Sequence, residues 1–219
     1  MTPTKHRQPI REALTLDGPA GPIEALLDLP PDPEAPAVAV VCHPHPQYQG
    51  TMLNKVVYTL SRALNGLQIP ALRFNFRGVG ASAGAYADGV GEIDDALAAA
   101  VWARQRFPGV PLWLAGFSFG AAVAIRAARA SGCRQLITVA PPVGRMPALS
   151  AGELPDCPWL LIQGAADEVV AADDVTAWVR TLPVPPKLVL LPEADHFFHG
   201  RLTLLRDTVV ANVAPPARG

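Results

Sequence analysis

The sequence alternates short, almost wholly apolar runs with segments of helical periodicity, and this alternation allows few folds. Six apolar runs, each bounded by Gly or Pro, are typical of strands buried on both faces of a sheet. They cover residues 38–42, 71–76, 112–115, 136–140, 159–163 and 188–191. Helical segments occur at 55–67, 92–107, 119–131, 173–182 and 201–213. Because strand–helix–strand units form right-handed crossovers, we predict a mainly parallel sheet with helices on both faces.

Two more strands and one irregular segment complete the pattern. Residues 12–17 and 23–29 alternate apolar and polar positions around a turn containing Gly and Pro, which predicts an antiparallel N-terminal hairpin. Residues 141–158 are rich in Pro and Gly, and a helical turn is expected only within 146–153. This segment is too short for a separate lid domain. We predict a single domain over residues 1–219, with about eight strands and no lid.

Composition excludes several classes of partner. Charged residues are 17% of the 219 and the formal net charge is −1, so no basic stripe is available for nucleic acid or an anionic membrane. No apolar run approaches the roughly 20 residues that span a bilayer, and residues 1–10 lack the apolar centre of a signal peptide. Cys42, Cys133 and Cys157 are odd in number without C-x-x-C spacing. These features predict a cytoplasmic protein with reduced thiols, without a disulfide framework or zinc site.

The clearest chemical motif is Gly116-Phe117-Ser118-Phe119-Gly120, which joins an apolar strand to a helix. A G-x-S-x-G sequence in this context is the nucleophile elbow of the α/β-hydrolase fold. The glycines allow strand and helix to approach closely, and the serine takes a strained conformation that exposes its hydroxyl. The motif predicts Ser118 as a nucleophile at the carboxyl edge of the sheet.

A serine hydroxyl needs a base within hydrogen-bond reach and a third group that orients this base. In the α/β-hydrolase topology, an acid and then a histidine follow later strands. Asp167 comes directly after the run at 159–163, and His196 follows the run at 188–191. Both are expected at the same sheet edge as Ser118. We predict His196 as the base and Asp167 as the acid.

Neighbouring side chains offer alternatives. Glu168 and Asp195 are other candidate acids, although Asp195 is adjacent to His196 in sequence and its side chain should point elsewhere. His199 is the alternative base. Asp167 could instead cap the helix that follows it.

Other residues can mark the ends of the helices. Asn54 can cap the helix at 55–67, and Gly132 follows the helix at 119–131 where a left-handed residue is favoured. Asp173 or Asp174 can cap the fourth helix in place of Asp167.

A tetrahedral intermediate needs two N–H donors for its oxyanion. Phe119, the residue after the nucleophile, supplies one. The other is expected from the His43-Pro44-His45-Pro46-Gln47 turn, where proline has no N–H, so His45 is the predicted donor and Gln47 the alternative. The two histidines could also suggest a metal, but no carboxylate or cysteine lies at a suitable spacing. We therefore predict neither metal nor cofactor.

Two further features are given structural roles. Residues 74–84 contain three glycines and a serine after a strand, but they lack the spacing of a phosphate-binding loop. We expect this loop to shape the floor of the same sheet edge. Cys42 ends an apolar run, which favours a place in the core over a role as nucleophile.

The chain resembles the small bacterial α/β-hydrolases related to the dienelactone hydrolase superfamily. The resemblance rests on C-H-P-H-P at 42–46, G-T-M at 50–52, N-K-V-V at 54–57 and R-F-N-F-R-G-V-G at 73–80. It places the three predicted catalytic residues on the family's triad positions, and the turn containing His45 on its oxyanion loop. Two departures from the family pattern, Ala165 and Glu193, lie outside the triad.

The resemblance implies ester hydrolysis, since dienelactone enzymes use a cysteine nucleophile where this chain has a serine. Thioesters, amides or peptides, and perhydrolysis are alternatives with the same triad, as is a non-catalytic interaction protein on the same fold. Four aromatic residues near the catalytic positions are predicted to bind a small substrate: Tyr48, Phe117, Phe197 and Phe198. The sequence is compatible with a monomer or a homodimer.

Overall fold

Eight strands form one sheet in the part of the chain that the computed structural model describes, residues 10–31, 34–146, 149–150 and 152–216. The strands are β1 Ile10–Gly18, β2 Gly21–Leu29, β3 Val38–Cys42, β4 Ala71–Phe74, β5 Leu112–Phe117, β6 Gln135–Val139, β7 Trp159–Gly164 and β8 Lys187–Leu191. Their order is β1-β2-β4-β3-β5-β6-β7-β8. The β1–β2 hairpin and the β2–β4 pair are antiparallel, and all other neighbours are parallel. The mostly parallel sheet with an N-terminal hairpin is thereby confirmed.

Helices cover both faces of this sheet, as predicted. They are α1 Lys55–Gly66, α2 Gly91–Arg106, α3 Phe119–Ser131, α4 Ala172–Thr181 and α5 Leu202–Asn212. The apolar sides of α2, α3 and α4 pack against one face and form the first core. Those of α1 and α5 pack against the other face and form the second. The central strands β3, β5 and β7 therefore lie between two apolar layers, which explains their uninterrupted apolar sequences.

The strand predictions differ from the structure in two places. β4 ends at Phe74, two residues early: Asn75 N–H still donates to the Glu24 carbonyl over 2.8 Å, but Phe76 N–H donates to the His43 ring, 3.0 Å away, and not to a strand. The prediction that residues 188–191 are buried on both faces is wrong. β8 pairs only with β7, so it is an edge strand and Leu190 remains 43% exposed.

The helix-end predictions are confirmed at two ends and wrong at a third. Asn54 Oδ1 accepts the N–H groups of the first turn of α1, and Gly132 ends α3 at φ 62°. At α4, Ala171 occupies the N-cap without a side-chain hydrogen bond. Asp173 and Asp174 lie inside the first turn, where carboxylates interact favourably with the positive end of the helix.

The irregular segment between β6 and β7 contains a 3₁₀ turn at Val143–Arg145. The helical turn predicted within 146–153 includes residues 147, 148 and 151, which lie outside the described ranges. Residues 1–9, where the sequence predicted no signal peptide, also lie outside them. Two ion pairs attach the described part to α3: Arg126–Glu153 at 3.2 Å and Arg129–Asp156 at 3.7 Å. No helix in the described ranges is both long and apolar enough to cross a membrane.

Candidate active site

Ser118 lies in the turn between β5 and α3. Its backbone has φ 53° and ψ −120°, a strained conformation for a residue with a side chain. A Cβ on Gly116 would overlap the carbonyl oxygen of Gly120, and a Cβ on Gly120 would overlap the carbonyl oxygens of Cys42 and His43. Close backbone approach therefore requires glycine at both positions, as the elbow motif predicts.

The fold brings the other two predicted residues to this serine. His196, in the turn after β8, places Nε2 3.2 Å from Ser118 Oγ. Its Nδ1 lies 2.8 Å from Oδ2 of Asp167, in the turn after β7. The side chains of His196 and Asp167 are 4% and 0% exposed. Three side chains from three loops thus form one hydrogen-bonded chain, largely shielded from water.

Asp167 accepts several other hydrogen bonds. The N–H groups of Val169 and Val170 donate to Oδ1 over 2.9 and 2.7 Å, and Gln163 Nε2 donates to Oδ2 over 3.0 Å. Burial alone would raise the pKa of Asp167, but the hydrogen bonds from His196 and these amides outweigh it and lower the pKa. The carboxylate is therefore ionised at neutral pH. It holds the imidazole proton on Nδ1, which leaves Nε2 as an acceptor for the serine hydroxyl.

Gln163 was not among the predicted site residues. It is the penultimate residue of β7 and is fully buried, and besides Asp167 its amide group donates to the Val170 carbonyl over 2.9 Å. A single polar side chain at the end of an otherwise apolar strand was the available sequence signal.

The alternative acid and base form a separate pair. His199 Nδ1 lies 2.6 Å from Asp195 Oδ2, and the His199 side chain is 73% exposed. Glu168 is exposed, and none of these three residues hydrogen-bonds Ser118 or His196.

His43 has both ring nitrogens engaged inside the protein. Its Nδ1–H donates to the Pro44 carbonyl over 2.6 Å, and its Nε2 accepts the Phe76 N–H over 3.0 Å. Burial lowers the pKa of His43 to about 4, so the ring is neutral. It connects the loop after β3 to the chain that leaves β4. The described residues contain no group of three or more His, Cys, Asp or Glu that could hold a metal ion.

The loop after β3 curls around the backbone of His45. The N–H groups of Tyr48 and Gly50 donate to its carbonyl over 3.1 and 3.0 Å. The Gln47 N–H donates to His45 Nδ1 over 3.2 Å, so this alternative oxyanion donor is already engaged. The N–H groups of His45 and Phe119, by contrast, have no acceptor among the described residues. Both residues line the cleft above Ser118, as the predicted oxyanion donors should.

A cleft of about 490 Å³ opens above Ser118 and His196. Its walls combine aromatic side chains with a few charged ones: His45, Tyr48, Tyr86, Asp88, Phe119, Arg126, Arg145 and Phe197. Because His45 Nδ1 accepts the Gln47 N–H, His45 Nε2–H donates to the Tyr86 hydroxyl oxygen over 3.2 Å. Tyr86 was not predicted, since nothing in its sequence neighbourhood pointed to the site. Tyr48 is 79% and Phe197 44% exposed, so both predicted substrate contacts are available at the rim.

The predictions that Phe117 and Phe198 bind substrate are wrong, because both are fully buried in the core beneath α1 and α5. Phe117 is the last residue of β5 and belongs to the core that also contains apolar residues of α1 and α5, and its ring centroid lies 5.1 Å from that of His196. Phe198, at φ 56°, closes a tight turn that directs it inward.

The glycine-containing loop at 74–84 also differs from its predicted role, since none of its residues lines the cleft. Its backbone instead holds His43, and Arg77 pairs with Asp95 at the start of α2 over 2.8 Å. Three residues that follow this loop line the cleft wall: Tyr86, Asp88 and Gly89. Cys42 is fully buried, which confirms its assignment to the core.

No family model matches the sequence. A solved α/β serine hydrolase without a lid, from Xanthomonas campestris, is 47% identical to this chain, with a TM-score of 0.88 over 95% of this chain and 97% of that one. An α/β serine hydrolase homologue from Coxiella burnetii is 42% identical, with a TM-score of 0.86 over 93% and 97%. An uncharacterised protein of Rickettsia prowazekii is 39% identical over 191 residues, 83% of this chain and 80% of that protein.

These similarities place the chain in a class. It belongs to the α/β serine hydrolases without a lid and is an enzyme with hydrolase activity. The resemblance to small hydrolases of the dienelactone hydrolase type is thereby confirmed.

Proposed function

We propose that the protein hydrolyses small carboxylic esters through an acyl-enzyme formed on Ser118. The observation that carries this proposal is the hydrogen-bonded chain Ser118–His196–Asp167, with contacts of 3.2 and 2.8 Å at the base of an open cleft. A serine hydroxyl becomes a useful nucleophile when a neutral, oriented imidazole accepts its proton.

The proposed reaction has two half-reactions, acylation of Ser118 and hydrolysis of the acyl-enzyme, and His196 transfers a proton in both. Ser118 Oγ attacks the ester carbonyl carbon while His196 Nε2 accepts the hydroxyl proton. Asp167 stabilises the resulting imidazolium through its bond to Nδ1. The imidazolium then gives its proton to the departing alkoxide as the carbon–oxygen bond breaks. Water repeats the sequence, with His196 as its base, and releases the acid.

The free amides of His45 and Phe119 support the proposed oxyanion site. Each N–H lacks an internal acceptor, and both residues line the cleft beside the nucleophile. Donors that are fixed before the reaction stabilise the developing charge without reorganisation, and each contributes on the order of 10²–10³ in rate. Because the Gln47 N–H is held by the His45 ring, we assign the second donor to His45.

The cleft supports a small acyl or aryl group as the substrate portion beside the nucleophile. Its volume of about 490 Å³ lies in the usual range for small-molecule sites. Tyr48 and Phe197 are the exposed aromatic side chains at its rim, and we propose that they contact the substrate. The proposed reaction needs neither a metal ion nor a cofactor.

The test is hydrolysis of p-nitrophenyl esters from acetate to decanoate by the purified protein. We expect the highest kcat/KM on the short esters. Ser118→Ala should lose on the order of 10⁶ in kcat. Ser131→Ala is a matched control, since this serine is the last residue of the same helix, its hydroxyl donates to the Ala128 carbonyl over 2.9 Å, and it lies outside the cleft.

A fluorophosphonate probe separates the nucleophile from the substrate class. Labelling of wild type and Ser131→Ala but not of Ser118→Ala is expected. Labelling without ester hydrolysis would retain the acyl-enzyme proposal and redirect the substrate search to thioesters and amides. Absence of labelling would contradict Ser118 as the nucleophile.

A further inference from the structure

Two cysteines that are distant in sequence meet at the end of α3. Cys133 follows Gly132, the residue that ends α3, and Cys157 lies two residues before β7. Their Sγ atoms are 3.4 Å apart. Both cysteines lie outside the cleft above Ser118.

The two thiols differ in accessibility. Cys133 is 2% exposed, whereas Cys157 is half-buried and lines a separate surface hollow with Asp156 and Pro158. The hydrogen bond between the two sulfurs lowers the pKa of the Cys157 thiol. A thiol of lowered pKa that solvent can reach is the usual site of first oxidation. Cys42 is fully buried, and burial raises the pKa of its thiol.

We propose that Cys133 and Cys157 form an oxidation site at which a peroxide closes a disulfide. The Cys157 thiolate attacks one oxygen of hydrogen peroxide, the O–O bond breaks, and the departing hydroxide is protonated to water. This leaves a sulfenic acid on Cys157. The Cys133 thiol then attacks the sulfenic sulfur, an S–S bond forms, the S–O bond breaks, and a second water leaves. The two sulfurs lose two electrons in total, and the peroxide gains them.

The cross-link would join the C-terminal end of α3 to Cys157 in the segment just before β7. The chain between the two cysteines includes Pro142, Arg145 and Met146 on the wall of the cleft. In the dithiol form, the described part of this chain is attached to α3 by two ion pairs with partly exposed members, and such pairs contribute little. The disulfide closes a loop of about two dozen residues and so stabilises the folded state.

Peptide mapping of the full chain tests the proposal. Reduced, desalted protein is treated with hydrogen peroxide, and remaining thiols are alkylated under denaturing conditions before trypsin digestion. We expect residues 130–134 to be linked to residues 146–180, with two hydrogens fewer than the separate peptides. The titratable thiols of the unfolded chain should fall from three to one. The Tm should rise by about 5 °C and return to its starting value with dithiothreitol.

Single-cysteine variants define the outcomes. Cys42→Ser should give the same linked peptide. Cys133→Ser should give none and should retain a Cys157 sulfenic acid that dimedone traps. Sulfinic acid on Cys157 of the wild type without a linked peptide would overturn the proposal, as would cross-links that join two chains in a concentration-dependent way. Because the wild-type map alone decides between these outcomes, poor folding of a variant would not affect the test.

Discussion

Two histidines three residues apart after β8 each pair with an aspartate, and only His196 also contacts Ser118. In the His196–Asp167 pair the nitrogen–oxygen distance is 2.8 Å and the side chains are 4% and 0% exposed. In the His199–Asp195 pair the distance is 2.6 Å, but the side chains are 73% and 31% exposed. The shorter contact is therefore the more solvated one. Distance within a pair therefore does not decide which histidine reaches the nucleophile elbow: His196 Nε2 lies 3.2 Å from Ser118 Oγ, and the more exposed His199 does not contact it.

The pairs also differ in how they are built. Asp195 and His199 belong to one short, exposed turn, so solvent weakens their interaction. Asp167 comes from the loop after β7 and His196 from the loop after β8, and Gln163 with two backbone amides fixes the carboxylate. The His196–Asp167 pair is therefore held in place by two adjacent strands of one sheet.

The largest expected difference in kcat is between variants of His196 and His199. His196→Ala should lower kcat on p-nitrophenyl acetate by on the order of 10⁵, because Ser118 then has no proton acceptor. His199→Ala should change kcat less than twofold. Steady-state kinetics of both variants measures this difference, and a comparable loss in His199→Ala would contradict the assignment of His196.

Replacing Asp167 or Asp195 should give a somewhat smaller difference in kcat between the two variants. Asp167→Asn should lower kcat by on the order of 10⁴, because an amide favours the wrong imidazole tautomer and does not stabilise the imidazolium. Asp195→Asn should retain activity within twofold. The same ester assay applies, with fluorophosphonate labelling rates as a second readout. Equal losses in the two variants would show that the exposed pair shares in catalysis.

The loop after β3 carries a second buried histidine, His43, beside the more exposed His45. His43→Asn removes the acceptor for Phe76 N–H and should shift the loop that carries the proposed oxyanion donor. We expect kcat to fall roughly 10-fold with little change in KM, since oxyanion contacts form only in the transition state. His45→Asn retains the backbone N–H and should lower kcat less. A proportionate rise in KM in His43→Asn would instead indicate a general disruption of the cleft.

The smallest predicted effect concerns stability and pH. The pKa of Asp167 is lowered in the folded protein, so the unfolded chain binds more protons in this range and stability rises with pH. This contribution is complete above the unfolded carboxyl pKa of about 3.9 and is lost as the pH falls through the lower folded value. The advantage of wild type over Asp167→Asn in urea unfolding should therefore shrink from pH 6 to pH 3. A constant difference between the two proteins from pH 6 to pH 3 would contradict the prediction.

Several features of the site were predictable because they depend on local sequence. The glycines around Ser118 are needed by one tight turn, and the apolar runs and helical periodicity define the order of elements. Since parallel strands present their carboxyl ends at one edge, the residues after β7 and β8 had to lie near the nucleophile. The positions of Asp167 and His196 follow from this order.

The sequence by itself therefore determined the order of strands and helices, the elbow and the residues that reach its edge of the sheet. The tertiary structure alone decided that Phe117 and Phe198 face the core, that Tyr86 joins the cleft, and that Cys133 meets Cys157. The reason is physical. Turns, caps and periodicity are encoded within a few neighbouring residues, whereas contacts between loops depend on how the packed core places distant elements relative to one another.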